Sequence, residues 1–143
     1  GGVHNLISDS HPAEGNAQIT RITEQGRVAD WIVCFVKRWA ENRGDLDRRP
    51  LPRAAGAFAV LVDGVPAVYV ERGGRTLQTL PAFEDAATAG AALRALRHLI
   101  GGGRDRELVI TKVDGQPVAV SPRRDALLAA DFVVGYRGLV LRT

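Results

Sequence analysis

Two apolar runs constrain the fold of this 143-residue chain more than any other feature: AFAVLV at 57–62 and AVYV at 67–70, separated by Asp63-Gly64-Val65-Pro66. Glycine accepts the positive φ that a two-residue turn demands, so Asp-Gly between two apolar runs predicts a β-hairpin. Pro66 has no N–H to give to a ladder, which puts the start of the returning strand at or after it. The block ERGGR at 71–75 supplies a second tight turn at Gly73 and Gly74. Arg75 to Leu80 then alternates polar and apolar residues, as a half-solvated edge strand does. The expectation is a three-stranded antiparallel meander.

Downstream, Pro81 opens a predicted helix, with Glu84 and Asp85 in its first turn, where the positive end of the macrodipole favours them. Ala89, Leu93, Leu96 and Ile100 recur at spacings of about four and three and make one apolar stripe for the sheet. Arg94, Arg97 and His98 suit the negative end, and Gly101 to Gly103 end the helix. A strand LVITKV at 108–113, an Asp114-Gly115 turn and PVAV follow. A short helix from about Arg124 to Ala130 comes next. The last β pair is Phe132 to Tyr136 and Leu139 to Arg142, joined across Arg137-Gly138. VDGVPAVYV from Val62 echoes VDGQPVAV from Val113, 51 residues later. A duplicated hairpin-plus-helix unit explains the echo; so does the turn chemistry that both hairpins need. The class is α+β: antiparallel hairpins with two helices packed on one face.

Residues 1–52 read differently from residues 53–143. Gly1 to Gly26 is polar and turn-rich, with little periodicity, and is expected to be loosely ordered. In VADWIVCFVKRWAENRG, Trp31, Phe35 and Trp39 recur every four residues, with Ile32 and Val36 beside them and Lys37, Arg38, Glu41 and Asn42 opposite. This is one amphipathic helix, with Gly44 as its stop. Its tryptophan stripe suits a core face, although two such rings can also stack nucleic-acid bases. RGDLDRRPLPR reads as a linker, so a boundary is placed near Pro50 to Pro52.

Charge follows the same division. The first 52 residues carry seven basic and seven acidic side chains; the rest carry twelve basic and nine acidic, so the net +3 lies wholly after Pro52. Arginine grips phosphate bidentately, yet an excess of this size is also what solubility asks of a small domain. Cys34 is the single cysteine, which excludes an internal disulfide and favours a reducing, cytoplasmic setting. No apolar run approaches the roughly 20 residues that span a bilayer, and no signal peptide opens the chain. With no methionine at position 1 or elsewhere, the chain is expected to be part of a longer polypeptide.

The stretch RAAGAFAVLVDGVPAVYVERGGRTLQTL resembles a segment near the C-terminus of bacterial Lhr-type (large helicase-related) superfamily 2 helicases. In that family an apolar strand, a VDG turn, a strand ending in ERGGR and a Leu-containing strand occur in this order. The later helix, the second VDG hairpin and the ending RGLVLR are similar to the family's terminus as well. The resemblance covers about Arg53 to Thr143, and residues 1–52 do not resemble the region upstream. It implies a parent that hydrolyses ATP with Mg2+, translocates on DNA and serves DNA repair. This chain would then be an accessory part that packs on the parent's upstream domains or contacts DNA. Uracil-DNA glycosylase activity is associated with the family's C-terminal extension, so a glycosylase-like module completed by upstream domains is the alternative.

None of the family's ATPase residues has a counterpart here. No G-x-x-x-x-G-K-[ST] pattern occurs, and Gly101 to Gly103 follow a helix, whereas a phosphate cradle precedes one. His4, His11, His98 and Cys34 lack metal-ligand spacing, so no cofactor is expected in the chain itself. A glycosylase needs a carboxylate beside an extruded base. The candidates Glu71, Asp125 and Asp131 are read first as structural: Glu71 paired with Arg72 or Arg75, Asp125 near a helix start, Asp131 at its end. No catalytic residue is assigned. The candidate nucleic-acid contacts are Arg72 and Arg75 at a hairpin tip, where two arginines can reach a phosphate backbone, and the basic pair Arg123 and Arg124.

Overall fold

The computed structural model describes residues 10–14, 16–21, 32, 34, 37, 38, 56–100 and 107–142. Its centre is the expected meander of β3 (Phe58–Val62), β4 (Val65–Val70) and β5 (Thr76–Thr79). Asp63 at φ 52° and Gly64 at φ 78° form the first turn; two successive positive φ values match the right-handed twist of the flanking strands. The strand β4 starts at Val65, one residue before Pro66. Proline is tolerated there because the register shifts between Val60 and Leu61, a bulge where a ladder N–H is not required.

Two further strands precede the meander: β1 (Ser10–Glu14) and β2 (Ala17–Arg21). The pair is antiparallel, and β2 in turn runs antiparallel to β3 from Ala17 opposite Val62 to Arg21 opposite Phe58. The expectation of a loosely ordered start fails for these ten residues. Ala17 and Ile19 are buried against the meander although the stretch is too short and polar to announce itself as a strand. The sheet therefore crosses the proposed boundary at Pro50 to Pro52. Of the expected N-terminal helix, Ile32, Cys34, Lys37 and Arg38 are helical, with Ile32 buried and the other three exposed, as an amphipathic helix requires. Trp31, Phe35, Trp39, the linker and the Gly101 to Gly103 stop lie outside the described residues.

The helix after the meander begins later than expected. Pro81–Glu84 is a 3-10 turn, and α1 (Ala86–Ala95) follows with Asp85 as its N-cap, continuing into a 3-10 turn at Leu96–Leu99. A carboxylate in the cap position accepts from the exposed N–H groups of the first turn, which explains why the helix waits for Asp85. Ala89, Leu93, Leu96 and Ile100 are all buried, and α1 lies against β2, β3 and β4. On the opposite side of the meander Ala59, Leu61 and Tyr69 are buried too, so both faces of the sheet are covered.

LVITKV is not one strand. It divides at Thr111 into β6 (Glu107–Ile110) and β7 (Lys112–Val113), which belong to different sheets. The strand β7 runs parallel to β5, and its hairpin partner β8 (Gln116–Pro117) closes a seven-stranded sheet of order β1-β2-β3-β4-β5-β7-β8. Hence β5 is internal rather than an edge. The PVAV strand is also corrected: after the ladder bond from Val118 N–H to the Thr111 carbonyl, Val118–Val120 form a 3-10 turn that Ser121 N–H closes by donating to the Val118 carbonyl at 3.2 Å. After α2 (Arg124–Ala129) come β9 (Val133–Val134) and β10 (Leu139–Arg142), and β6-β10-β9 make a second, antiparallel sheet. Leu108, Ile110, Leu127, Phe132, Leu139 and Leu141 join this sheet to the core under α1. The α+β class stands, with α1 the main helix and α2 short. No helix among the described residues is long and apolar enough to cross a membrane.

Candidate nucleic-acid interface

The ERGGR turn is built by two backbone hydrogen bonds: Glu71 N–H donates to the Thr76 carbonyl at 2.9 Å, and Gly74 N–H to the Glu71 carbonyl at 2.9 Å. Gly73 and Gly74 both sit at positive φ, 96° and 73°, which any side chain would resist. Arg72 and Arg75 flank them and are exposed. The carboxylate expected to neutralise them is engaged elsewhere, since Glu71 Oε2 accepts from Gln78 Nε2 at 3.2 Å. Among the described residues neither arginine has an ion-pair partner.

Thr111 connects this turn to a second feature. Its N–H and hydroxyl both donate to the Arg75 carbonyl, at 2.8 and 3.3 Å. Thr111 also lines an open groove of about 220 Å³, along with Val118, Arg124, Tyr136, Arg137 and Leu139. The wall bearing Tyr136 and Arg137 is the turn between β9 and β10, closed by Gly135 N–H donating to the Gly138 carbonyl at 2.8 Å. A Cβ on Gly138 would overlap the Ile110 carbonyl, so glycine is what lets this turn lie directly on β6. Tyr136 is 102% exposed. No carboxylate lines the groove among the described residues.

The adjacent arginines 123 and 124 diverge. The Arg123 guanidinium sits 5.1 Å from the centre of the buried Phe83 ring, and its backbone N–H donates to Ser121 Oγ. That cation–π contact spends its charge on the fold. Arg124 instead faces the groove, with a long 4.0 Å approach to Asp125, whose side chain is almost fully exposed. An exposed pair of that length neutralises little. The structure thus ties the Arg75 backbone to Thr111 of the groove that Arg124 also lines, keeps Arg72 at the hairpin tip, and packs the Arg123 guanidinium on Phe83.

The carboxylates take the structural roles expected of them, apart from Glu71. Asp125 occupies the first turn of α2, and Asp131, at φ 73°, turns the chain after it while Phe132 N–H reaches back to the Leu127 carbonyl. Among the described residues Asp85 is the one carboxylate clearly perturbed: the Thr88 backbone N–H at 2.9 Å, and then the Thr88 hydroxyl at 2.8 Å, hold its pKa below the ordinary 3.8. His98 and Cys34 are exposed, and the His4 and His11 side chains lie outside the described residues. Among the described residues no three His, Cys, Asp or Glu side chains gather as metal ligands. Tyr136, Arg137 and Thr111 escaped the sequence reading. The RG of Tyr136-Arg137-Gly138 was visible only as a turn, and no local pattern shows that a turn is bare of neighbours.

No protein-family model matches the chain. Over 97 residues, 63% of the chain, it is 40% identical to a protein of Mycolicibacterium smegmatis described as "Lhr helicase/ probable uracil glycosylase". That similarity supports an Lhr-related origin. The chain spans about 6% of that relative's length, so what the whole relative does belongs to a far larger polypeptide.

Proposed function

We propose that this chain is an accessory module of an Lhr-type helicase that contacts nucleic acid and carries no motor residues of its own. One observation supports this above others: the arginines of the ERGGR turn, without ion-pair partners among the described residues, are tied through the Arg75 carbonyl and Thr111 to a groove that bears Arg124 and Arg137 and, among the described residues, no carboxylate. Such a surface suits phosphate, because each phosphate neutralised by arginine releases condensed counterions. The finer parts of the proposal come from the resemblance: a C-terminal place in the parent, a superfamily 2 motor using ATP and Mg2+, work in DNA repair, upstream domains as packing partners, and a cytoplasmic location.

The test is a DNA titration of the chain at increasing salt, with Arg72→Ala/Arg75→Ala beside it. Binding that weakens with salt, and whose log–log slope falls by about 0.7 to 0.9 per lost phosphate contact in the variant, supports the reading. No binding to single strand or duplex at low salt would sink it.

The relative's description as a probable uracil glycosylase favours a second reading, a glycosylase-like module completed by other domains. Among the described residues the groove offers that chemistry no carboxylate, and Asp125 and Asp131 are exposed. Release of uracil from a uracil-containing strand by this chain alone would turn the choice towards it.

A further inference from the structure

Resting on the nucleic-acid reading above, we propose that the groove under the β9–β10 turn is a base-stacking site for single-stranded nucleic acid. In it Tyr136 carries one base while Arg137 and Arg124 hold the neighbouring phosphates. The first observation is the ring itself. Tyrosine usually buries most of its aromatic body and leaves only its hydroxyl wet, yet Tyr136 is 102% exposed. Val133 and Val134, at 53% and 66%, extend the bare apolar surface along β9.

The second observation is that the turn displaying this ring is firmly held. The Gly135 to Gly138 hydrogen bond closes it, and Gly138 rests on the Ile110 carbonyl at a distance that no side chain would permit. A ring on such a turn is presented in advance, which lowers the ordering cost of binding. The third is charge. Two arginines border the groove, Asp125 approaches Arg124 at only 4.0 Å, and the Arg75 carbonyl is joined to the groove wall through Thr111. Aromatic face plus arginines is the combination that takes unpaired nucleotides, because every base has a face to stack and every linkage a phosphate to neutralise. A duplex hides its base faces from a turn tip. The site therefore selects single strands, whereas the ERGGR arginines alone would accept either form.

The experiment is fluorescence anisotropy of the full chain with a labelled oligothymidylate and with a duplex of equal length. Tyr136→Ala, Tyr136→Phe, Arg137→Gln and Arg72→Ala/Arg75→Ala are measured alongside, with circular dichroism checking each fold. The expected result is a single-strand affinity about 5- to 150-fold weaker in Tyr136→Ala, nearly unchanged in Tyr136→Phe, and with duplex affinity unmoved by either. Arg137→Gln is expected to reduce the single-strand salt slope by about 0.7. Wild-type binding that Arg72→Ala/Arg75→Ala weakens but Tyr136→Ala leaves intact overturns the stacking site and keeps the broader reading. Absence of binding by the wild type to either form overturns both. A wild-type dimer that Tyr136→Ala converts to monomer would identify the patch as a self-interface and overturn the stacking site.

Discussion

Thr79 gives two hydrogens to one carboxylate: its backbone N–H donates to Asp114 Oδ1 at 2.8 Å and its hydroxyl to Asp114 Oδ2 at 2.7 Å. Asp114 N–H in turn donates to the Leu77 carbonyl at 2.9 Å, so the second Asp-Gly turn is riveted to β5 from both sides. Asp63, at the same place in the first turn and with the same φ of 52°, uses only its backbone N–H, on the Asn16 carbonyl. Asp114→Ala is expected to lower stability by about 1–3 kcal/mol, since Thr79 is 4% exposed and its amide loses a charged acceptor. Asp63→Ala should show only the strain of alanine at positive φ. Urea unfolding of the two variants compares them; equal losses would contradict the assigned role.

Gly138 and Gly115 separate crowding from backbone strain. Gly138→Ala places a methyl group against the Ile110 carbonyl and must push β10 off β6, with an expected loss of about 1–3 kcal/mol. Gly115→Ala meets no atom within 4 Å but holds φ 81°, so its cost is the left-handed penalty alone, about 1–2 kcal/mol. Amide hydrogen exchange tells them apart. Gly138→Ala should speed exchange in β6 and β10, and Gly115→Ala should leave those strands protected.

Acid should loosen α1 at its start. Because the folded Asp85 carboxyl sits below its ordinary 3.8, the cap's contribution is complete above that value and disappears as pH falls through the lower folded value. Asp85→Ala removes it at every pH. Thermal melts are expected to show a wild type a few degrees more stable than Asp85→Ala at neutral pH, with the gap shrinking below about pH 4. A gap that stays constant down to pH 2 would contradict the capping role.

Arg123→Ala is expected to cost stability, about 0.5–2 kcal/mol from the contact over Phe83, while leaving oligonucleotide affinity within about twofold. Arg124→Ala should do the reverse. Melting temperature and anisotropy, measured on both variants, decide the division of labour between these neighbours.

Much of the meander was legible because its signals are local. Asp63-Gly64 and Gly73-Gly74 need positive φ, and the Ala89 to Ile100 stripe repeats with helical period. What escaped depends on distant partners. Residues 17–21 form a strand because β3 offers a ladder about forty positions later, and AQITR alone carries too little apolar alternation to show it. LVITKV reads as one strand because nothing within it reveals that Thr111 hands the chain from one sheet to another. The arginines of ERGGR were found as candidates from their turn. Tyr136 was missed because exposure is a property of what fails to pack nearby, and the contact of Arg123 with Phe83 was invisible because the two lie forty residues apart.

The pairing of β2 with β3 bears on how the protein can be cut. A version starting at Arg53, where the resemblance begins, would strip Ala17 to Arg21 from a strand whose last four residues are fully buried. The sequence FAVLV would then become an open, uncharged border with unsatisfied backbone groups, the usual seed of intermolecular strand pairing. Such a trimmed protein is expected to precipitate or form fibrils, even though every residue of the β3–β5 meander is still present.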